Sequence, residues 1–117
     1  MKRLLSSLSL ALFFAIGAAQ AHTHLESSMP ADKAVVSVAP KQVMLHFSEP
    51  SRLTAVSIQK EGEKKETAVS ALPKQVATDL TVPVEISGPG TYKLKWRAIG
   101  GDNHVMSGAL QFTVSAK

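Results

Sequence analysis

Between residues 91 and 99 the chain alternates without a fault: Tyr92, Leu94, Trp96 and Ala98 take one set of positions, and Thr91, Lys93, Lys95 and Arg97 the other. Successive side chains of an extended chain point to opposite faces, so this pattern predicts a strand with its aromatics inward and its cations in solvent. A helix would scatter the same residues around its whole circumference. The period recurs at residues 41–48, where Val43, Leu45 and Phe47 oppose Gln42, Met44, His46 and Ser48, and again at 53–59. Shorter candidates are 35–38, closed by Pro40, then 67–72 and 75–82, with Pro83 putting Val84 to Ile86 at an edge or bend. A last strand runs through Leu110, Phe112 and Val114. Turn formers separate these runs: residues 26–32 read as a loop, Gly62 as the tip of a charged hairpin, and Gly88-Pro89-Gly90 as a tight turn. About seven short strands and no amphipathic helix predict an all-β fold, an immunoglobulin-like Greek-key sandwich or barrel. On this pattern Tyr92 and Trp96 are core residues and not a stacking platform for a ligand.

The N-terminus has a different character. Met1-Lys2-Arg3 precedes an apolar run over residues 8–19, which is too short for a membrane span of about 20 residues. With small residues at Ala19 and Ala21, residues 1–21 read as a secretory signal peptide, and the mature domain as 22–117, starting at His22. A cut after Ala19 also has small residues in place, Gly17 and Ala19, and would leave Gln20 first. Cleavage after Ala21 removes Lys2 and Arg3 from the 13 basic residues, leaving 11 against 9 acidic ones and a formal charge of +2 in place of +4. No basic cluster survives to suit a nucleic-acid backbone, since Lys64-Lys65 lies among Glu61, Glu63 and Glu66. The chain has no cysteine, which excludes disulfide staples, thiolate nucleophiles and thiolate-ligated metals.

Candidate chemistry sits at the two ends of the mature chain. Residues 100–108, Gly100-Gly101-Asp102-Asn103-His104-Val105-Met106-Ser107-Gly108, hold a carboxylate and an imidazole among glycines. In an extended segment Asp102 and His104 would aim an oxygen and a nitrogen at one point, a metal half-site. The other half is offered by His22: as the first residue, its α-amine and its near imidazole nitrogen can close a chelate ring on one ion, a histidine brace. Three nitrogens and one oxygen then favour tetragonal Cu(II) over Cu(I). His24 offers a rival geometry, in which a histidine third in the chain binds Cu(II) or Ni(II) in a square plane through deprotonated backbone amides.

These residues carry a resemblance. The chain resembles the periplasmic copper-binding CopC family in His22-Thr23-His24-Leu25 with Ser28-x-Pro30-Ala31, in Ala39-Pro40 with Val43-x-Leu45-x-Phe47-Ser48-Glu49-Pro50, in Gly90-x-Tyr92-x-Leu94-x-Trp96-Arg97, and in Asp102-x-His104 followed by Ser107-Gly108-x-x-x-Phe112-Thr113-Val114. It implies a small Greek-key β-barrel that binds one Cu(II) through His22, Asp102 and His104. His24 would be a ligand or lie just behind the ligands. Glu49 would orient an imidazole, as outer carboxylates do for metal-bound histidines, or simply be a strand-end charge. Asn103 stands where the family commonly has Gly, and Asn tolerates similar backbone angles. The mature methionines, Met29, Met44 and Met106, form no cluster in the sequence, so no Cu(I) site is expected, and Met106 either approaches the metal or packs.

The function so implied is non-enzymatic: a periplasmic, monomeric Cu(II) carrier for copper tolerance, buffering or delivery, not embedded in the membrane after signal cleavage. Its implied partner is an inner-membrane copper importer of the CopD type. Two other classes stand beside it. A histidine-brace copper oxidoreductase would need an open copper face and a substrate platform. A metal-free β-sandwich that binds protein partners would be indifferent to copper.

Overall fold

The computed structural model describes residues 23–116, so the expected leader, residues 1–21, and His22 lie outside the described residues. Among the described residues there are seven strands and no helix: β1 (Leu25–Met29), β2 (Ala34–Val36), β3 (Gln42–Lys60), β4 (Glu66–Ala68), β5 (Ala77–Pro83), β6 (Gly90–Ile99) and β7 (Val105–Val114). All connections in β1-β3-β6-β7 are antiparallel, and β2 joins the far edge parallel to β7. The all-β sandwich expected from the alternation is therefore what forms.

One strand organises it. β3 is 19 residues long and serves two sheets, pairing with β1 and β5 in its first part and with β6 and β4 in its second. The sequence pattern had suggested two strands broken at Glu49-Pro50. The backbone instead continues through Pro50, because that residue falls where the ladder has a gap: pairing with β5 jumps from His46↔Asp79 to Ser51↔Ala77, and pairing with β6 begins only at Arg52↔Ile99. A proline there forfeits no ladder hydrogen bond. Ser51, fully buried at the bend, satisfies its hydroxyl by donating to the Glu49 carbonyl at 2.9 Å.

Three other expectations are corrected. Residues 26–32, read as a loop, contribute most of β1, since Ser27 and Ser28 are held in an extended chain by pairing to His46 and Leu45. The last strand starts at Val105 and not near Leu110, because Val105, Met106 and Ser107 pair with Ile99, Ala98 and Arg97. The expected strand over 67–72 shrinks to Glu66–Ala68, the return arm of the hairpin whose tip is Gly62 (φ 91°).

The core lies between the inward faces. Val43, Leu45 and Phe47 meet Leu80 and Val82 on one side and Tyr92, Leu94, Trp96, Ala98, Leu110 and Phe112 on the other, all buried. Phe47 and Trp96 join the two sheets edge to face, with ring centroids 5.2 Å apart and planes at 78°. Tyr92 stacks on Phe112 at 5.9 Å, and its hydroxyl donates to the carbonyls of Ser87 and Gly88, closing the turn before β6. Opposite Trp96 in the ladder stands Gly108, where a β-carbon would lie 2.7 Å from the indole Cζ2. The bare glycine lets the indole lie against the β7 backbone. Gly108→Ala must push Trp96 off Phe47, and is expected to lower unfolding free energy in a urea melt by about 1–3 kcal/mol, whereas Ser107→Ala on the exposed side should stay within about 0.5 kcal/mol of the parent.

Candidate metal centre

Asp102 and His104 sit on the turn between β6 and β7. The turn is closed by the Gly100 N–H donating to the His104 carbonyl at 3.0 Å and the Asn103 N–H donating to the Gly100 carbonyl at 2.9 Å. Asn103 takes φ 69°, the left-handed region that Asn tolerates better than other side-chain-bearing residues. The segment is thus a tight turn and not the extended run from which the pairing of Asp102 with His104 was first argued. The two side chains still meet, for another reason. Asp102 Oδ1 accepts the His104 backbone N–H at 3.1 Å, an Asx-type turn, and Oδ2 lies 3.3 Å from His104 Nδ1. The backbone N–H of His104 is the chief reason the Asp102 carboxyl is held below the ordinary carboxylate range, and the His104 imidazole adds to it. His104 itself is open to solvent, with its side chain 78 % exposed.

The other end of the chain is brought to this turn through the bend of β3. Ahead of β1, the backbone of His24 is zipped to Ser48: its N–H donates to Ser48 Oγ at 3.0 Å, and its carbonyl accepts the Ser48 N–H at 2.9 Å. Neighbouring side chains point opposite ways here, so His24 is exposed while Thr23 turns in and is buried. Thr23 Oγ1 donates to Glu49 Oε2 at 2.9 Å. The same side chain fills the space a β-carbon on Gly100 would need, 2.7 Å from Thr23 Cβ and 3.0 Å from Asp102 Oδ1. Thr23, Glu49, Gly100 and Asp102 therefore form one cluster.

Of the site residues named from the sequence, Asp102 and His104 meet on the turn, and Glu49 reaches the neighbouring Gly101, whose β-carbon position lies 3.4 Å from its Oε2. His24 lies beside it with its backbone engaged and its ring outward, and His22 is outside the described residues. Glu49 meets the hydroxyl of Thr23 there. Met106 packs against the core, and His46 lies on the outer face of β3 with Nδ1 on the Asp79 carboxylate. The described residues contain no group of three His, Cys, Asp or Glu able to hold a metal. Thr23 was missed by sequence reasoning. The one available signal was the unadorned Gly100-Gly101 pair, which leaves room for something to pack.

Residues 25–115 match the family model of the CopC domain. The chain belongs to the CopC family. Among CopC relatives, the copper resistance protein C of Pseudomonas syringae pv. tomato is 33 % identical over an alignment 132 positions long, gaps included, covering 95 % of this chain and 98 % of that protein. The structure of CopC from Methylosinus trichosporium OB3b superposes with a TM-score of 0.68 at 26 % identity, over 80 % of this chain and 94 % of that one. PcoC, a methionine-rich copper resistance protein from Escherichia coli, gives 0.59 at 31 % identity, over 81 % and 100 %. Both solved structures superpose on the all-β sandwich described above.

The Asn103 geometry sets a test. A β-branched side chain is strained at positive φ by about 1–2 kcal/mol, so Asn103→Val should lower the melting temperature while Asn103→Gly holds it, as read by thermal unfolding followed by circular dichroism.

Proposed function

We propose that the mature chain is a periplasmic Cu(II)-binding protein of copper tolerance, buffering or delivery, released by removal of residues 1–21. One Cu(II) is held by the α-amine and imidazole of His22 with the Asp102 carboxylate and the His104 imidazole. The observation that carries this reading is the seat of Thr23: a residue one peptide link from His22 is buried against Gly100, whose β-carbon position is 3.0 Å from Asp102 Oδ1. The donor set is nitrogen and oxygen with no thiolate, which suits Cu(II).

The rival square-planar geometry at His24 fits less well. It requires the His24 backbone nitrogen to lose its proton to the metal, and that N–H is engaged with Ser48 Oγ at 3.0 Å. Catalysis on a copper oxidoreductase plan also finds little support. Trp96 and Tyr92, the chain's one tryptophan and one tyrosine, are buried in the core and offer no face to a substrate. Function as a monomer that hands copper to an inner-membrane importer of the CopD type is the partnership the family resemblance implies.

The decisive experiment uses processed protein with its first residue verified by mass spectrometry. An added residue ahead of His22 turns the amine into an amide with no basic lone pair, and Cu(II) affinity should fall by more than the roughly 10–100-fold that loss of an outer partner brings. Asp102→Ala and His104→Ala should each weaken copper strongly and leave thermal unfolding of the metal-free domain nearly unchanged, since both lie on a surface turn. Equal affinity with and without the added residue would overturn the amine as a ligand.

The pH profile follows from the same donors. Imidazole and α-amine groups take up protons as pH falls through about 8 to 6 and then compete with the metal, so affinity should drop steadily across that window. The Asp102 carboxyl, held below its ordinary range by His104, stays anionic throughout and adds no step there. Chelator-competition titrations from pH 8 to pH 5 check this. Flat binding would exclude histidine ligands.

A further inference from the structure

Thr23 stands between two histidines in the sequence, yet among the described residues it is one of only two buried polar side chains, at 7 % exposure. Three contacts of different kinds hold this short stretch. The hydroxyl donates to Glu49 Oε2 at 2.9 Å. The side chain occupies the notch at Gly100, 2.7 Å from where a β-carbon would stand. The next residue is tied by its own N–H and carbonyl to Ser48, at 3.0 and 2.9 Å. Chain ends fray unless tied down, and this one is tied down up to the residue that adjoins His22.

We propose that Thr23 is a positioning residue for the copper site: its hydroxyl on Glu49 and its seat in the Gly100 notch aim the chain so that one residue ahead of it carries amine and imidazole to Asp102 and His104. The inference rests on the proposed function and names what makes that site work. Two of its donors belong to a terminal residue, and a frayed terminus would have to be ordered at each binding event. A latched one is preorganised, and preorganisation raises affinity without adding a ligand. The latch is also a length gauge. Cleavage after Ala21 leaves one residue ahead of Thr23, whereas cleavage after Ala19 leaves Gln20, Ala21 and His22, with the free amine two residues too far out.

The test separates a hydroxyl latch from simple packing. Thr23→Val keeps the shape and loses the donor; Thr23→Ser keeps the donor; Gly100→Ala leaves Thr23 intact but fills its notch. In processed protein starting at His22, Cu(II) affinity by chelator competition should fall about tenfold in Thr23→Val and in Gly100→Ala, the scale of losing an outer-sphere partner, and recover to within about twofold of the parent in Thr23→Ser. Stoichiometry stays at one copper per chain, and the electron paramagnetic resonance lines of Thr23→Val should broaden as the terminal donors sample more than one geometry. Wild-type affinity in Thr23→Val, or equal weakness in Thr23→Ser and Thr23→Val, overturns the latch. The added-residue variant of the parent is measured in parallel. If it binds copper normally the amine ligand itself is wrong, and if it fails while Thr23→Val binds normally only the latch is wrong.

Discussion

The corner where β3 passes from one sheet to the other is the constraint on which the rest depends. A strand of 19 residues cannot serve two sheets without bending, and this one bends over Glu49, Pro50 and Ser51, where its ladder is interrupted on both sides. Ser51 is buried there, and its hydroxyl satisfies the Glu49 carbonyl at 2.9 Å. The bend lets Phe47 reach Trp96 across the core at 5.2 Å. It also brings Glu49 against Gly101, whose β-carbon position lies 3.4 Å from Oε2. Core and candidate site are therefore two faces of one corner. A change that straightened β3 would separate the sheets and the site residues together.

Legibility of the sequence varied with the range of the interactions involved. The alternation of Tyr92, Leu94, Trp96 and Ala98 is local, and it was readable because a half-buried strand has no other way to sort its side chains. Asn103 was readable by another route, the resemblance, which puts Asn where the family commonly has Gly, and its φ of 69° is an angle that Asn tolerates. What could not be read was set by partners far along the chain. Pro50 looks like a strand breaker until β5 and β6 are seen to leave the ladder empty beside it. Ser27 and Ser28 look like loop residues until β3 lies alongside them. The burial of Thr23 could not be read from its neighbours, because Glu49 and Gly100 reach it from positions 26 and 77 residues away.

The pairing of Asp102 with His104 carries a narrower lesson. Proximity was expected from extended geometry, in which alternate residues share a side. It arises instead from a turn, where Asp102 Oδ1 caps the His104 N–H at 3.1 Å and the carboxylate is thereby oriented before any metal arrives. The difference bears on chemistry. An extended pair would be free to rotate apart, while the capped pair has one carboxylate oxygen committed to the backbone and the other 3.3 Å from the ring. On the proposed reading, such a pair presents a preformed edge to the metal and needs little rearrangement when a third donor joins it.

On the proposed reading, that third donor comes from the part of the chain that exists as a free end only after processing, and this has a physical consequence. The family match begins at residue 25, inside the fold, and among the described residues the buried hydrophobic core begins only at Val43. Fold and metal affinity are then governed by separate groups: Val43, Leu45, Phe47 and Trp96 hold the sheets, while Asp102 and His104 lie on the surface and are dispensable to packing. Thr23 is where the two meet, buried like a core residue yet one link from the free end. A surface site with an engaged carboxylate and an exposed imidazole draws its affinity from donor type and preorganisation rather than from burial. On the proposed reading it remains open to a competing ligand from solvent, which handing copper to a partner would require.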